Sequence, residues 1–234
     1  TVTLVFSEAV VSFSSAADIT ADNGTLAAMS SADNVTWAGT FTPTANTEDA
    51  SNTLSLATSY TDTAGNAGPA ATTENYAIET LAPTVNSVAI SSASGVQNSL
   101  LNAGDNVSVK ATFSESVIVD NASGTPTLTL VVGSDNRTST YTSGSGSTPL
   151  VFQYTIQAGE TDSDGISIGA NTLALNSGTI RDAAGNNATL TYSAVSANTS
   201  YKVDNTAPSV NSFTLSDTAL KAGDTATVTL VFSE

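Results

Sequence analysis

The octapeptide Thr1-Val2-Thr3-Leu4-Val5-Phe6-Ser7-Glu8 returns unchanged as Thr227-Val228-Thr229-Leu230-Val231-Phe232-Ser233-Glu234, an interval of 226 residues in a chain of 234. A shortened echo, Ala111-Thr112-Phe113-Ser114-Glu115, lies between the two copies. Val2, Leu4 and Phe6 alternate with period two, which places them on one face of a strand whose other face meets water. The same alternation runs through Val107, Val109, Ala111 and Phe113, through Leu128 and Leu130, and through Phe152, Tyr154 and Ile156. Self-similarity at this length marks an array of whole domains, so the chain reads as a few links of a longer series.

Between the alternating stretches sit Gly, Asn, Asp and Ser clusters at short spacing, and no stretch carries apolar residues at helical period over three turns. The pattern predicts an all-β fold of tandem immunoglobulin-like antiparallel β-sandwiches. Apolar residues make up 40% of the chain and charged residues only 11%, a balance that folds rather than staying disordered.

Two Ala-Pro pairs, Ala82-Pro83 and Ala207-Pro208, mark the boundaries, each preceded by an acidic linker, Glu79-Thr80-Leu81 and Asp204-Asn205-Thr206. Proline stiffens the entry into the strand that follows. Residues 1–82 therefore read as a sandwich lacking its first strand, 83–207 as a complete sandwich, and 208–234 as the opening hairpin of the next repeat. Within 83–207 strands are expected at 84–91, 106–114, 117–120, 126–132, 137–142, 150–157, 171–181 and near 189–203. The Ser-, Thr- and Gly-rich stretch 133–148 reads as an insertion relative to the shorter unit.

With 21 acidic against 5 basic residues the net charge is −16, and no Lys or Arg precedes Lys110. Such a chain has no electrostatic footing on nucleic acid or anionic lipid, and divalent cations are its natural counterions. Cysteine and histidine are both absent, which removes disulfides, Cys/His zinc sites, thiol nucleophiles and imidazole-based triads. No apolar run approaches the length of a membrane span, so no membrane insertion is expected.

Three acidic motifs recur at matched positions: the strand-end Phe-Ser-Glu (Glu8, Glu115, Glu234), the Asp-x-Ala-Gly-Asn turn (Asp62 to Asn66, Asp182 to Asn186), and the linker acid (Glu79, Asp204). In an immunoglobulin-like sandwich the elements bearing them end at one pole. Several carboxylates, an Asn amide and the carbonyls of a Gly turn form a hard oxygen shell suited to calcium. The same turn also reads as an ordinary hairpin, with Gly supplying positive φ. Glu160-Thr161-Asp162-Ser163-Asp164-Gly165 is a second candidate, like a shortened calcium loop with Asp162 and Asp164 as ligands, expected near the opposite pole; a solvated acidic loop has the same composition. Trp37 could stack on a sugar but reads more simply as packing. Acid pairs repeated in every unit suit a structural ion better than a unique glycosidase site, so no enzyme is expected.

Phe6-Ser7-Glu8-Ala9-Val10, Asn23-Gly24-Thr25-Leu26, Trp37-Ala38-Gly39-Thr40-Phe41-Thr42-Pro43, Tyr60-Thr61-Asp62-Thr63-Ala64-Gly65-Asn66 and Asp204-Asn205-Thr206-Ala207-Pro208 together resemble the bacterial immunoglobulin-like repeats of giant secreted adhesins. The middle unit is similar to a longer variant found in the same proteins. The resemblance implies an extracellular or cell-surface extender, exported by type I secretion, in which calcium at the junctions stiffens a rod that supports adhesion and biofilm formation. It implies neighbouring repeats as partners, with host or cell-surface ligands engaged by other domains of the full protein. The implied ligands are Glu79, Glu115, Asp182 and Asn186 for the middle unit, Glu8, Asp62 and Asn66 for the first, and Asp204 and Glu234 for a third junction. The linker Glu-Thr-Leu-Ala-Pro departs from the Asp-Asn-Thr-Ala-Pro of the other.

Two alternatives are a glycan- or protein-binding module, which needs an exposed aromatic platform that Tyr141, Tyr154 and Tyr192 do not evidently form, and a spacer within a secreted polysaccharide-active enzyme. A further expectation concerns the two ends. Residues 208–234 read as the missing start of residues 1–82, so the hairpin of one molecule is expected to complete the first sandwich of another, head to tail.

Overall fold

A computed structural model describes residues 1–234, and strands dominate it throughout. The first 82 residues hold β1 (Val2–Val5), β2 (Val10–Val11), a helical turn α1 (Ser15–Asp18), β3 (Ile19–Ala21), β4 (Gly24–Leu26), β5 (Thr36–Gly39), β6 (Phe41–Pro43), β7 (Glu48–Asn52), β8 (Leu54–Leu56), β9 (Thr61–Asp62), β10 (Ala71–Thr72) and β11 (Tyr76–Glu79). The middle stretch holds β12 (Val85–Ser94), β13 (Leu100–Leu101), β14 (Asn106–Asp120), β15 (Thr127–Val132), β16 (Asp135–Ser143), β17 (Ser147–Thr155), β18 (Ser167–Ala174), β19 (Thr179–Arg181) and β20 (Lys202–Val203). A hairpin of β21 (Val210–Leu215) and β22 (Val228–Phe232) follows.

The middle stretch is built on one antiparallel sheet in the order β12-β14-β17-β16-β15-β18, with β19 pairing the far half of β14. Alternation in β14 turns Val107, Val109, Ala111 and Phe113 inward, and with Leu128, Leu130, Leu150 and Phe152 they anchor a core of 19 buried side chains. Each such side chain withdrawn from water contributes about 1.5–3 kcal/mol against the entropy of ordering. The first 82 residues are organised differently, as pairs and a triplet of short strands around a core of three buried residues, Val10, Leu56 and Tyr60. Rings supplement it: Phe13 lies 5.6 Å from Phe6 and 4.8 Å from Trp37, both edge-on. Trp37 is thus packing, although its indole N–H finds no acceptor.

Several strand expectations are corrected. The stretches 106–114 and 117–120 are one strand, because Ser114-Glu115-Ser116 lacks the Gly, Pro, Asn or Asp that would turn the chain. The register slips there instead, between Thr112 and Val117, and β14 passes from its partners β12 and β17 to β19. The stretch 171–181 is two strands, broken at Asn176 and Ser177, whose φ values of 51° and 72° are left-handed. The expected strand near 189–203 reduces to isolated bridges, Thr84 to Thr189 and Ile168 to Val195, and the two-residue β20. Ser193 to Ser200 is nearly all small and polar, and offers no apolar face to bury. Residues 133–148 hold β16, hydrogen-bonded to β15 on one edge and β17 on the other.

Candidate functional site

The linker between the first two groups of strands is fixed at both ends. On the side of the first group, Glu79 closes β11 opposite Glu48 of β7. Thr80 then binds the 44–47 loop: its Oγ1 accepts from the Thr47 N–H at 3.0 Å and donates to the Thr44 carbonyl at 2.7 Å, while its own N–H reaches the Thr47 carbonyl at 2.9 Å. Glu79 Oε1 accepts from the Leu81 N–H at 2.7 Å, which holds the linker in a tight local turn. On the other side Pro83 is buried and its carbonyl accepts from the Thr189 N–H at 2.7 Å. The Thr84 carbonyl accepts from the Ser114 N–H at 2.8 Å, and the Thr84 N–H donates to Ser114 Oγ at 3.0 Å.

These bonds carry Glu115 to the linker. The Asp182 turn meets it there: Asp182 Oδ1 accepts from the N–H groups of Gly185 and Asn186 at 2.7 and 2.8 Å, and Oδ2 accepts from Asn186 Nδ2 at 2.7 Å. Gly185 holds φ at 98°, the left-handed value that closes the turn. Asn186 Nδ2 also reaches the Glu79 carbonyl at 3.3 Å, so the turn touches the linker directly.

Electrostatics at this pole are unbalanced. Burial, then the charges of Asp182, Glu79 and Glu48, push the Glu115 carboxyl above its usual range. Burial also works against ionising Asp182, only 4% exposed, but hydrogen bonds from Asn186, Gly185 and Ala184 outweigh it and hold its pKa below the usual value. The chain's ion pairs belong to Arg137 alone, with Asp135 and Glu160, so no basic side chain neutralises the pole.

The first group of strands carries the same device. Asp62 Oδ1 accepts from Ala64 and Asn66 N–H groups, both at 2.8 Å, and Oδ2 from Asn66 Nδ2 at 2.7 Å; these bonds, that of the Asn66 side chain foremost, lower its pKa. Glu8, Asp62 and Asn66 line one cleft of about 190 Å³. The remaining candidates gather elsewhere. Asp162, Asp164, Asp204 and Glu234 line an open cleft of about 670 Å³ together with Lys202. There Asp162 is buried, its Oδ1 accepting from the Gly165 N–H at 2.7 Å and its Oδ2 from the Gly133 N–H at 2.8 Å. Asp164 is exposed.

Nowhere do three or more acidic side chains close around a common point as a finished metal cage. The donor chemistry of the Glu115 pole nonetheless fits a hard cation: crowded carboxylates, a carboxamide, linker carbonyls and no competing base. Sequence reasoning missed Glu48, which adds a charge from the preceding group of strands. It also missed the clamp residues that follow each linker acid. Asn205, the counterpart of Thr80, accepts from the Ala103 N–H at 2.6 Å and donates to the Gln157 and Glu160 carbonyls at 3.2 and 2.8 Å. Tyr141, Tyr154 and Tyr192 all pack against the large core.

The pairing of β2 with β9 and the Glu8–Asp62 cleft fall inside the stretch that comparison recognises. Residues 1–78 match the family model of a bacterial Ig-like domain. No curated protein and no solved structure matches the chain significantly. The Ig-like match thus covers the first group of strands, and the 83–207 stretch repeats the Phe-Ser-Glu strand end and the Asp-x-Ala-Gly-Asn turn of that Ig-like unit outside the matched residues.

Proposed function

We propose that this chain is an extender segment of a large bacterial surface or secreted protein, in which Ig-like units hold other domains away from the cell for adhesion and biofilm formation, and calcium stiffens the joints. The observation that carries it is the 79–84 linker, bonded to both flanking groups of strands and bordered by carboxylates with no basic partner. Glu79, Glu115 and Asp182, with the Asn186 carboxamide, would hold the ion at this joint. Bound calcium supplies the positive charge that the pole lacks. The residues themselves do the positioning: Thr80 fixes the outgoing linker, Thr84 and Ser114 dock the incoming strand, and Asn186 orients Asp182. Catalysis is assigned to none of them.

Extracellular modules bind calcium with dissociation constants of about 10⁻⁴ to 10⁻³ M, so such a joint is soft in the cytosol and stiffens outside the cell. Calorimetry and small-angle scattering test this. Calcium is expected to raise the melting temperature and the rigidity of the chain, magnesium to do much less, and the Glu115→Gln/Asp182→Asn double variant to lose the difference. Superimposable melting curves and scattering profiles with saturating calcium and with chelator would overturn the reading.

A further inference from the structure

The β21–β22 hairpin and the β12–β14 pair are the same arrangement in two settings. Val85 faces Phe113 as Val210 faces Phe232, and the register shifts once in each, at Asn86 and at Asn211. Val88 then faces Ala111 as Phe213 faces Leu230, and Ile90 faces Val109 as Leu215 faces Val228. Even the flanking bonds agree: Ser233 N–H donates to the Ser209 carbonyl at 2.8 Å and Ser209 N–H to Ser233 Oγ at 3.0 Å, as Ser114 and Thr84 do. The surroundings do not agree. Val85 and Val88 are 9% and 8% exposed, whereas Val210 and Phe213 are 57% and 73% exposed. The hairpin carries a core strand with no core.

The counterpart of that vacancy lies at β1. Its sequence is that of β22, it pairs only with β5, and its other edge carries no strand. Beside it runs an apolar groove of about 200 Å³ lined by Val2, Leu4, Ile19, Leu54 and Leu56. We propose that β21 of a second copy of this chain leaves its own β22 and adds to this edge, joining molecules head to tail. An identical strand dictates the register: Val210 opposite Phe6, Ser212 opposite Val5, Phe213 opposite Leu4, Thr214 opposite Thr3 and Leu215 opposite Val2. Little opposes the exchange, because a lone two-stranded hairpin is marginally stable in water while a strand added to a sandwich buries its apolar side. The contact is heterologous, so it propagates into open chains rather than closing a symmetric dimer. It needs no calcium and stands apart from the function proposed above.

Sedimentation of the whole chain in chelator, at salt sufficient to screen a net charge of −16, reads the association. The mean mass is expected to climb with concentration, and the Phe213→Asp/Leu215→Asp variant, altered only on exposed hairpin positions, to remain monomeric. The chain has no native cysteine, so register is read by disulfide trapping. A mixture of Thr3→Cys and Thr214→Cys molecules is expected to cross-link several-fold more than Thr3→Cys with Asp217→Cys. A monomer at every concentration, association that survives the double variant, or equal cross-linking of the two mixtures would each overturn the proposal. So would a chain that stays monomeric yet binds a synthetic peptide of residues 207–217, since the edge would then serve another strand.

Discussion

Glu48 and Glu79 stand directly opposite each other in the β7–β11 ladder, two like charges where a strand pair would ordinarily place complementary side chains. Directly opposed like charges destabilise a sheet, and a favourable pair contributes about 0.2–1 kcal/mol. Glu48→Lys is therefore expected to stabilise the chain in chelator by roughly that amount, and to weaken any calcium-dependent gain. Melting curves of both proteins, with and without calcium, check both halves.

The pH dependence has two opposed parts. Asp62 and Asp182 titrate below their usual value of 3.8, so the stability they contribute is complete above that pH and is lost as pH falls through their lowered values. Glu115 titrates above its usual 4.5, so the folded state holds its proton more tightly and loses stability as pH rises through the raised value. Urea titrations across the acid range in chelator are expected to show a decline on both sides, with Glu115→Gln removing most of the upper one.

Asn205→Ala removes three hydrogen bonds that fasten the second linker to the stretch before it. The expected cost is about 1–3 kcal/mol, since buried carbonyls lose their donor. The diagnostic readout is faster hydrogen exchange at the Ala103 and Asp204 amides, with the β12–β14 amides unchanged.

A core of 19 buried residues beside one of three predicts two unfolding events. Phe113→Ala is expected to cost about 3–5 kcal/mol and to lower the upper transition. Leu56→Ala is expected to lower the earlier one and leave the upper in place, as two-peak calorimetry would show.

The meeting of Asp182 and Asn186 with the Glu79 linker was legible because the turn occurs twice, at Asp62 and at Asp182, with strand-end glutamates in step with it. Glu48 was not legible. Glu48-Asp49-Ala50-Ser51-Asn52 has no apolar alternation, and its strand exists only through pairing with residues 76–79. Glu160 was read as part of an acidic loop, whereas its carboxylate is buried against the Arg137 guanidinium and the Tyr154 hydroxyl. Sequence displays such opposite charges without showing that β16 brings them face to face. The long β14 was hidden for a related reason: a Ser-Glu-Ser interruption looks like an end when it only marks where a strand changes partners.

The Asn205 clamp makes orientation an inherited property. Because Asp204 and Asn205 are tied to Leu101, Ala103, Gln157 and Glu160 behind them, the heading of whatever follows Pro208 is fixed before that segment folds. Thr80 does likewise for Pro83, with a different set of partners. In a long array built from both kinds of link, overall curvature is then written in the order of the links, and shuffling that order would redraw the path of the fibre without altering any single module.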